Sequence, residues 1–206
     1  MARRIISNYT RRPRKLNRNI IIAVEGSKNK TEKTYFRNFN NKNGNIISFA
    51  NGGETDPVKM VKSLAKEIER RGIDLNAGDK AYCVFDTDTD QRKNRQILEA
   101  RRIANDLGIE IITSNPCIEY WFLLHFVNTN AIMDSDGVIT KLKRYIPNYE
   151  KNMDVYAFLE PTQADAINRA VQVEEKHISD GKTIGFVEAN PSTEVYKIIN
   201  ELMVER

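Results

Sequence analysis

Two cysteines in 206 residues, Cys83 and Cys117, are too few for a disulfide framework, and their spacing suits no metal cage. Two histidines are likewise too few for a multi-histidine zinc site. No apolar run approaches the roughly 18–20 residues that a membrane helix needs. The amino terminus is basic but has no apolar segment of the kind a secretory signal carries. These absences set the expectation of a cytoplasmic protein in a reducing compartment, with no membrane partner. The phosphate-loop pattern G-x-x-x-x-G-K-S/T is missing, which argues against a P-loop ATPase. So is the G-x-S-x-G nucleophile turn. Both cysteines lie in apolar runs, where a thiol is buried and inert rather than reactive. No internal repeat or low-complexity segment is present.

The remainder is an ordinary globular composition, 40% hydrophobic and 29% charged. Its length allows one domain with an appended lobe. The net charge of +4 is unevenly placed. Residues 1–18 hold Arg3, Arg4, Arg11, Arg12, Arg14, Lys15 and Arg18 and no acid. Setting those seven aside leaves 25 bases against 28 acids. A basic arm of this kind, here also carrying Tyr9 and Pro13, suits nucleic-acid phosphates. It equally suits a tail that only keeps the protein soluble.

The stretch AYCVFDTDTD, residues 81–90, organises the chain. Tyr82, Cys83, Val84 and Phe85 form a short continuous apolar run, the signature of a buried parallel strand. Asp86, Asp88 and Asp90 follow at i, i+2 and i+4, which places three carboxylates on one side of an extended chain. Like charges this close raise one another's pKa unless a cation neutralises them. A divalent ion with a preference for hard oxygen, Mg²⁺ or Mn²⁺, answers that need. Asp is also common in turns, so loop capping alone is the plainer alternative.

A similar strand end precedes it. Ile20–Val24 is apolar and stops at Glu25-Gly26. A basic loop with Lys28 and Lys30 leads to Thr31 and Glu32, where a helix presents Tyr35, Phe36 and Phe39 on one face and Thr31 is placed to cap it. A second strand is expected over Asn45–Asn51. A helix is expected from Pro57, capped by Asp56 and stopped by Gly72. The strand Lys80–Phe85 follows, then a helix over Gln91–Leu107 with Ile97, Ala100, Ile103, Ala104 and Leu107 inward, and a strand over Ile109–Thr113. The alternation β-α-β-α-β-α-β predicts a mostly parallel sheet flanked by helices. Cys117–Phe126 reads as a buried helix with Glu119 in its first turn, where the helix dipole favours a carboxylate. Two readings of Glu119 stand, service to that dipole alone or a place facing the acidic cleft beside Asn115; His125 reads as a hydrogen-bonded core residue. Beyond Val127 the chain is mainly helical. A short helix runs through Val138–Ile146, and a longer one opens at Glu160 with Ile167, Val171 and Ile178 inward. A last helix follows Asn190-Pro191-Ser192-Thr193, with Val195, Ile198, Ile199 and Leu202 inward. The expected organisation is a basic arm (1–18), an α/β core (19–127) and a helical extension packed on it (128–206).

Carboxylates on neighbouring strand ends suit metal-assisted phosphoryl transfer. Glu25, Asp86 and Asp88 are the candidate catalytic and metal-holding carboxylates; Asp90 or Glu119 could supply ligands for a second metal, and Glu25, if not tied to metal, is the candidate general acid or base. Lys28, Lys30, Arg92, Lys93 and Arg95 flank the acids in sequence, as a nucleic-acid backbone would require.

Val24–Gly26 (VEG) with Thr31–Glu32, Phe85–Asp88 (FDTD), Ser114–Phe126 (SNPCIEYWFLLHF) and Asn190–Thr193 (NPST) together resemble the RloB-like family, over about residues 18–202. The resemblance implies a Toprim-like, Rossmann-like sheet in which Glu25 is the glutamate and Asp86 and Asp88 the DxD pair, acting with Mg²⁺. It further implies a Toprim-type nuclease of restriction and abortive-infection loci, active in phage defence beside an ABC- or AAA-type ATPase. Here the loop between Gly26 and Thr31 is longer than the compact EGxxTE-like form. The expectation is a metal-dependent nuclease acting on RNA, tRNA or DNA, with room for a homo-oligomer. The alternatives are a catalytically silent regulatory or nucleic-acid-binding subunit, and a phosphotransferase acting on small molecules.

Overall fold

The computed structural model describes residues 17–26, 31–87 and 92–204, and the main chain alone at Arg92. Five strands form one sheet: β1 (Arg18–Val24), β2 (Asn45–Phe49), β3 (Lys80–Asp86), β4 (Glu110–Asn115) and β5 (Ser192–Thr193), in the order β2-β1-β3-β4-β5. The first four run parallel, and β5 is antiparallel to β4. This is the α/β architecture that the alternating pattern predicts. Two-residue β5 lies in the NPST segment and carries no strand signal of its own.

Side-chain alternation along the strands divides the core in two. Ile20, Ile22, Val24, Tyr82, Val84 and Ile112 face one side. Ile21, Ala23, Ala81, Cys83, Phe85 and Ile111 face the other. The second side is covered by α2 (Pro57–Arg71) and α3 (Arg92–Asp106). As predicted, Asp56 caps α2, its side chain accepting from Lys59 N at 2.9 Å, and Pro57 takes the first position. Gly72 ends the helix at φ 63°, a left-handed conformation that glycine adopts without a Cβ clash.

The first side is thicker. It holds α1 (Thr31–Arg37), α4 (Glu119–Leu124), α5 (Ser135–Leu142), α7 (Gln163–Ser179) and α8 (Val195–Met203), with one-turn α6 (Tyr156–Leu159) at its margin. Val195, Ile198, Ile199 and Leu202 are buried, as their spacing predicts. His125 is also a core residue: Nδ1 donates to Leu159 O at 2.9 Å, and its ring meets Trp121 edge-on.

Some expected faces are turned. Leu107 is 43% exposed because α3 stops at Asp106 and the chain turns away. Ile178 is 59% exposed. The buried stripe of α7 is instead Ala166, Ala170, Val173 and His177. Small residues let that helix approach closely, and His177 Nε2 donates to Pro191 O at 2.9 Å. The helix expected over Cys117–Phe126 is confined to Glu119–Leu124, and that expected through Val138–Ile146 lies at Ser135–Leu142.

Arg18 belongs to the sheet rather than to the basic arm. It opens β1 and is 3% exposed. Its guanidinium donates to Asn45 Oδ1 at 2.8 Å, to Glu201 O at 2.9 Å and to the Glu201 carboxylate. Asn45 Nδ2 in turn donates to Leu202 O at 3.0 Å. The amino edge of the sheet is thus tied to the last helix.

Candidate acidic site at the carboxyl edge of the sheet

From β1 the chain passes to β2 on one side and then to β3 on the other. The carboxyl ends of β1 and β3 therefore flank the point where the topology reverses, which is where open α/β sheets place their ligand crevice. The two strands pair in register, Val24 opposite Val84. Glu25 leaves β1 one residue later, and Asp86 is the last residue of β3. Both are half-buried. The sheet thus brings together two acids that lie 61 positions apart in the sequence.

The turn after Glu25 is held from outside. Gly26 has φ 74° and its N–H donates to Glu54 O at 3.0 Å. A Cβ on Gly52 would stand 2.9 Å from Gly26 O, and Lys33 Nζ lies 3.9 Å from that same point. The loop between β2 and α2 therefore rests directly on the turn that aims Glu25. On the β3 side, Thr87 N donates to Ser114 O at 2.9 Å, extending the ladder one residue beyond Asp86.

Lys93, in the first turn of α3, links the two strand ends. Its Nζ stands 3.8 Å from Glu25 Oε1 and donates to Asp86 O at 3.1 Å. The Lys93 and Glu25 side chains are 17% and 22% exposed, and charges so placed interact more strongly than at an open surface.

Cys117 lies within electrostatic reach of Asp86 and Glu119. Burial chiefly, then the Glu119 and Asp86 carboxylates, pushes its thiol far up, so it stays protonated and is no nucleophile. Glu119 is 2% exposed and accepts from Tyr149 Oη at 3.0 Å. Burial, then the charge of Glu119, holds the Tyr149 phenol well above its ordinary range. Glu119 is thus closed from solvent and adjoins the acidic edge through Cys117. Thr31 Oγ1 accepts from Asn152 N at 3.1 Å, so its hydroxyl serves the helical extension. Glu32, next to it, is buried.

Asn115 is spent on holding neighbouring segments. Its Nδ2 donates to Phe186 O at 2.8 Å, and its Oδ1 accepts from Asn190 Nδ2 at 3.0 Å. Asn190 also accepts from Met133 N at 3.0 Å. Asn94, beside Lys93, accepts from Val187 N at 3.1 Å. A strap over residues 183–190 is thereby fastened next to the acidic edge. Behind it, Glu194 accepts from Thr113 Oγ1 at 2.6 Å and from Arg101 at 2.7 Å. Arg95 is exposed on α3. Asp88, Asp90, Lys28, Lys30, Arg11, Arg12, Arg14 and Lys15 lie outside the described residues, as does the side chain of Arg92.

Among the described residues, no three His, Cys, Asp or Glu side chains gather as a metal site. Glu25 and Asp86 supply two hard oxygen donors at adjoining strand ends, a set that fits Mg²⁺ or Mn²⁺ and not a thiolate-preferring ion. Tyr149 and Gly52 carry no sequence signal for this site, since each reaches it by tertiary packing alone.

The model of the RloB-like protein family matches residues 20–202, most of the chain. No curated protein and no solved structure matches it. The chain belongs to the RloB-like family.

Proposed function

We propose that this RloB-like protein is a metal-dependent nuclease that hydrolyses nucleic-acid phosphodiesters, RNA or tRNA among them. The observation that carries the reading is the parallel pairing of β1 with β3, which brings Glu25 and Asp86 to adjoining strand ends with Lys93 against both. Glu25 and Asp86, with Asp88 beyond them, would hold Mg²⁺ or Mn²⁺. The bound ion would supply charge to the phosphate and an activated water. Lys93 offers fixed positive charge where a phosphate would add negative charge. Gly52 and Gly26 fix the direction of Glu25, and positioning of this kind is a large part of phosphoryl-transfer catalysis. The basic residues before Arg18 would hold the nucleic-acid backbone away from the reacting bond. The proposed setting is phage defence, with an ABC- or AAA-type ATPase as partner.

The test is cleavage of total RNA, tRNA and plasmid DNA by the purified chain with Mg²⁺ or Mn²⁺, beside Asp86→Asn. Metal-dependent cutting lost in the variant supports the nuclease. Nucleic-acid binding without cutting, with and without the neighbouring ATPase, assigns a silent binding subunit instead.

A further inference from the structure

The two helices on the thinner side of the sheet differ in charge from the rest of the chain. Together α2 and α3 hold ten Lys and Arg against four Asp and Glu. From residue 19 onward, everything outside them holds 15 bases against 24 acids. On α2 the excess lies in one row. Met60, Val61 and Leu64 are buried against the sheet, and the opposite stripe carries Lys59, Lys62, Lys66 and Arg70, all exposed. Arg70 is tied to Glu67 at 2.8 Å, and exposed Glu69 borders the stripe. Lys59, Lys62 and Lys66 make no ion pair among the described residues. Like charges at this helical spacing repel one another, and an anion laid along the row relieves them. On α3, exposed Arg95 and Arg102 alternate with exposed Glu99 and Asp106, a mixed surface.

The row has a direction. Strands β2 and β3 both run parallel to β1, so the helices that follow them start at the carboxyl edge and run back toward the amino edge. Gln96 Nε2 donates to Asp56 Oδ2 at 3.1 Å, which sets the two helix starts side by side. Lys59 stands in the first turn of α2, just after the loop that rests on the turn aiming Glu25. From Lys59 to Arg70 the row is about 16 Å long at the helical rise, about half a turn of a nucleic-acid duplex. It therefore leads from the acidic edge outward. A bilayer surface is a poorer match, because no large apolar side chain of α2 is exposed and its apolar face is spent on the sheet.

We propose that the outer face of α2 is a track for a nucleic-acid phosphate backbone, with Lys59, Lys62 and Lys66 holding the segment that flanks the acidic edge. That this segment is cut at the edge rests on the nuclease reading; binding along α2 does not.

The test measures binding of a labelled RNA stem-loop and a labelled DNA duplex to the full chain, in chelator so that nothing is cut, from about 50 to 200 mM salt. The triple variant Lys59→Gln, Lys62→Gln, Lys66→Gln is compared with Lys143→Gln, Lys151→Gln, Lys176→Gln, three exposed lysines outside these helices. Both keep residues 1–18 and lose the same charge. The α2 variant is expected to bind at least about tenfold more weakly and to lose about 2 from the slope of log affinity against log salt, at about 0.7–0.9 per phosphate contact. The comparison variant should keep the parent's slope, and both should melt like the parent. Equal losses in the two variants would overturn the proposal, because net charge alone would then explain them. An α2 variant that binds like the parent would overturn it too, as would a parent that sediments with phosphatidylserine vesicles and binds neither nucleic acid. Adding Mg²⁺ to the same samples separates the two readings. Binding lost in the α2 variant beside a parent that never cuts keeps the track and removes the nuclease. A parent that cuts beside an α2 variant that binds and cuts equally well removes the track and keeps the nuclease.

Discussion

At the amino end of the sheet, Arg18 is buried and closed in by Asn45 and Glu201 at hydrogen-bond distance. At the carboxyl end, Glu25 and Asp86 are half-buried, and Lys93 approaches Glu25 only to 3.8 Å, longer than a hydrogen bond. One end fixes its charge by short, shared contacts that serve the fold. The other sets two acids at adjoining strand ends, partly open to solvent, where a carboxylate can meet an incoming cation. Stability and activity should therefore respond to different ends of the same strands.

The largest effect is expected at Asp86. Asp86→Asn should lower metal-dependent cleavage by at least about 100-fold, the upper range for losing even an outer partner of a metal ligand. Melting should not fall, because one of two neighbouring like charges is removed. A large drop in melting temperature would mean that the carboxyl edge, too, is built for the fold. Arg18→Ala should do the reverse. It strands Asn45 and Glu201 and should cost about 3 kcal/mol in denaturant titration, the low end for a broken buried pair, since Glu201 is 32% exposed. The protein that remains folded should keep its cleavage rate.

Acid should weaken the stable side of the molecule through His125. Burial lowers its pKa from 6.5 to about 4. The unfolded chain thus takes up a proton near pH 6.5 that the folded chain refuses. Stability is full above that pH and falls as pH drops toward 4, by up to about 3 kcal/mol. His125→Asn should flatten that limb of a melting-versus-pH curve. Lys93→Gln is expected to slow cleavage by about tenfold while metal saturation occurs at equal or lower concentration, since a competing cation leaves Glu25. The smallest effect is expected at Tyr149→Phe, about 1 kcal/mol for the hydrogen bond lost to Glu119, read by denaturant titration.

Much of the fold is legible in the sequence because the apolar runs Ile20–Val24 and Tyr82–Phe85 and the caps Asp56 and Gly72 are local signals. The pairing of Glu25 with Asp86 follows once those runs are read as neighbouring parallel strands. Tyr149 beneath Glu119 is not legible, because the contact depends on how a helical extension folds back on the sheet. Nor is the two-residue strand β5, too short to carry a period. Ile178 misleads for a related reason: α7 buries the alanines Ala166 and Ala170 with Val173 and His177, and Ile178 falls off that stripe.

The clamp at Arg18 bears on the order in which the molecule can be completed. Its partner Glu201 lies 183 residues later in the chain. As synthesis proceeds from the amino terminus, β1 and its guanidinium emerge long before the helix that receives them. The central sheet can gather early, but its amino edge closes only when α8 has left the ribosome. Until then, a strand at the heart of the sheet carries an unanswered positive charge.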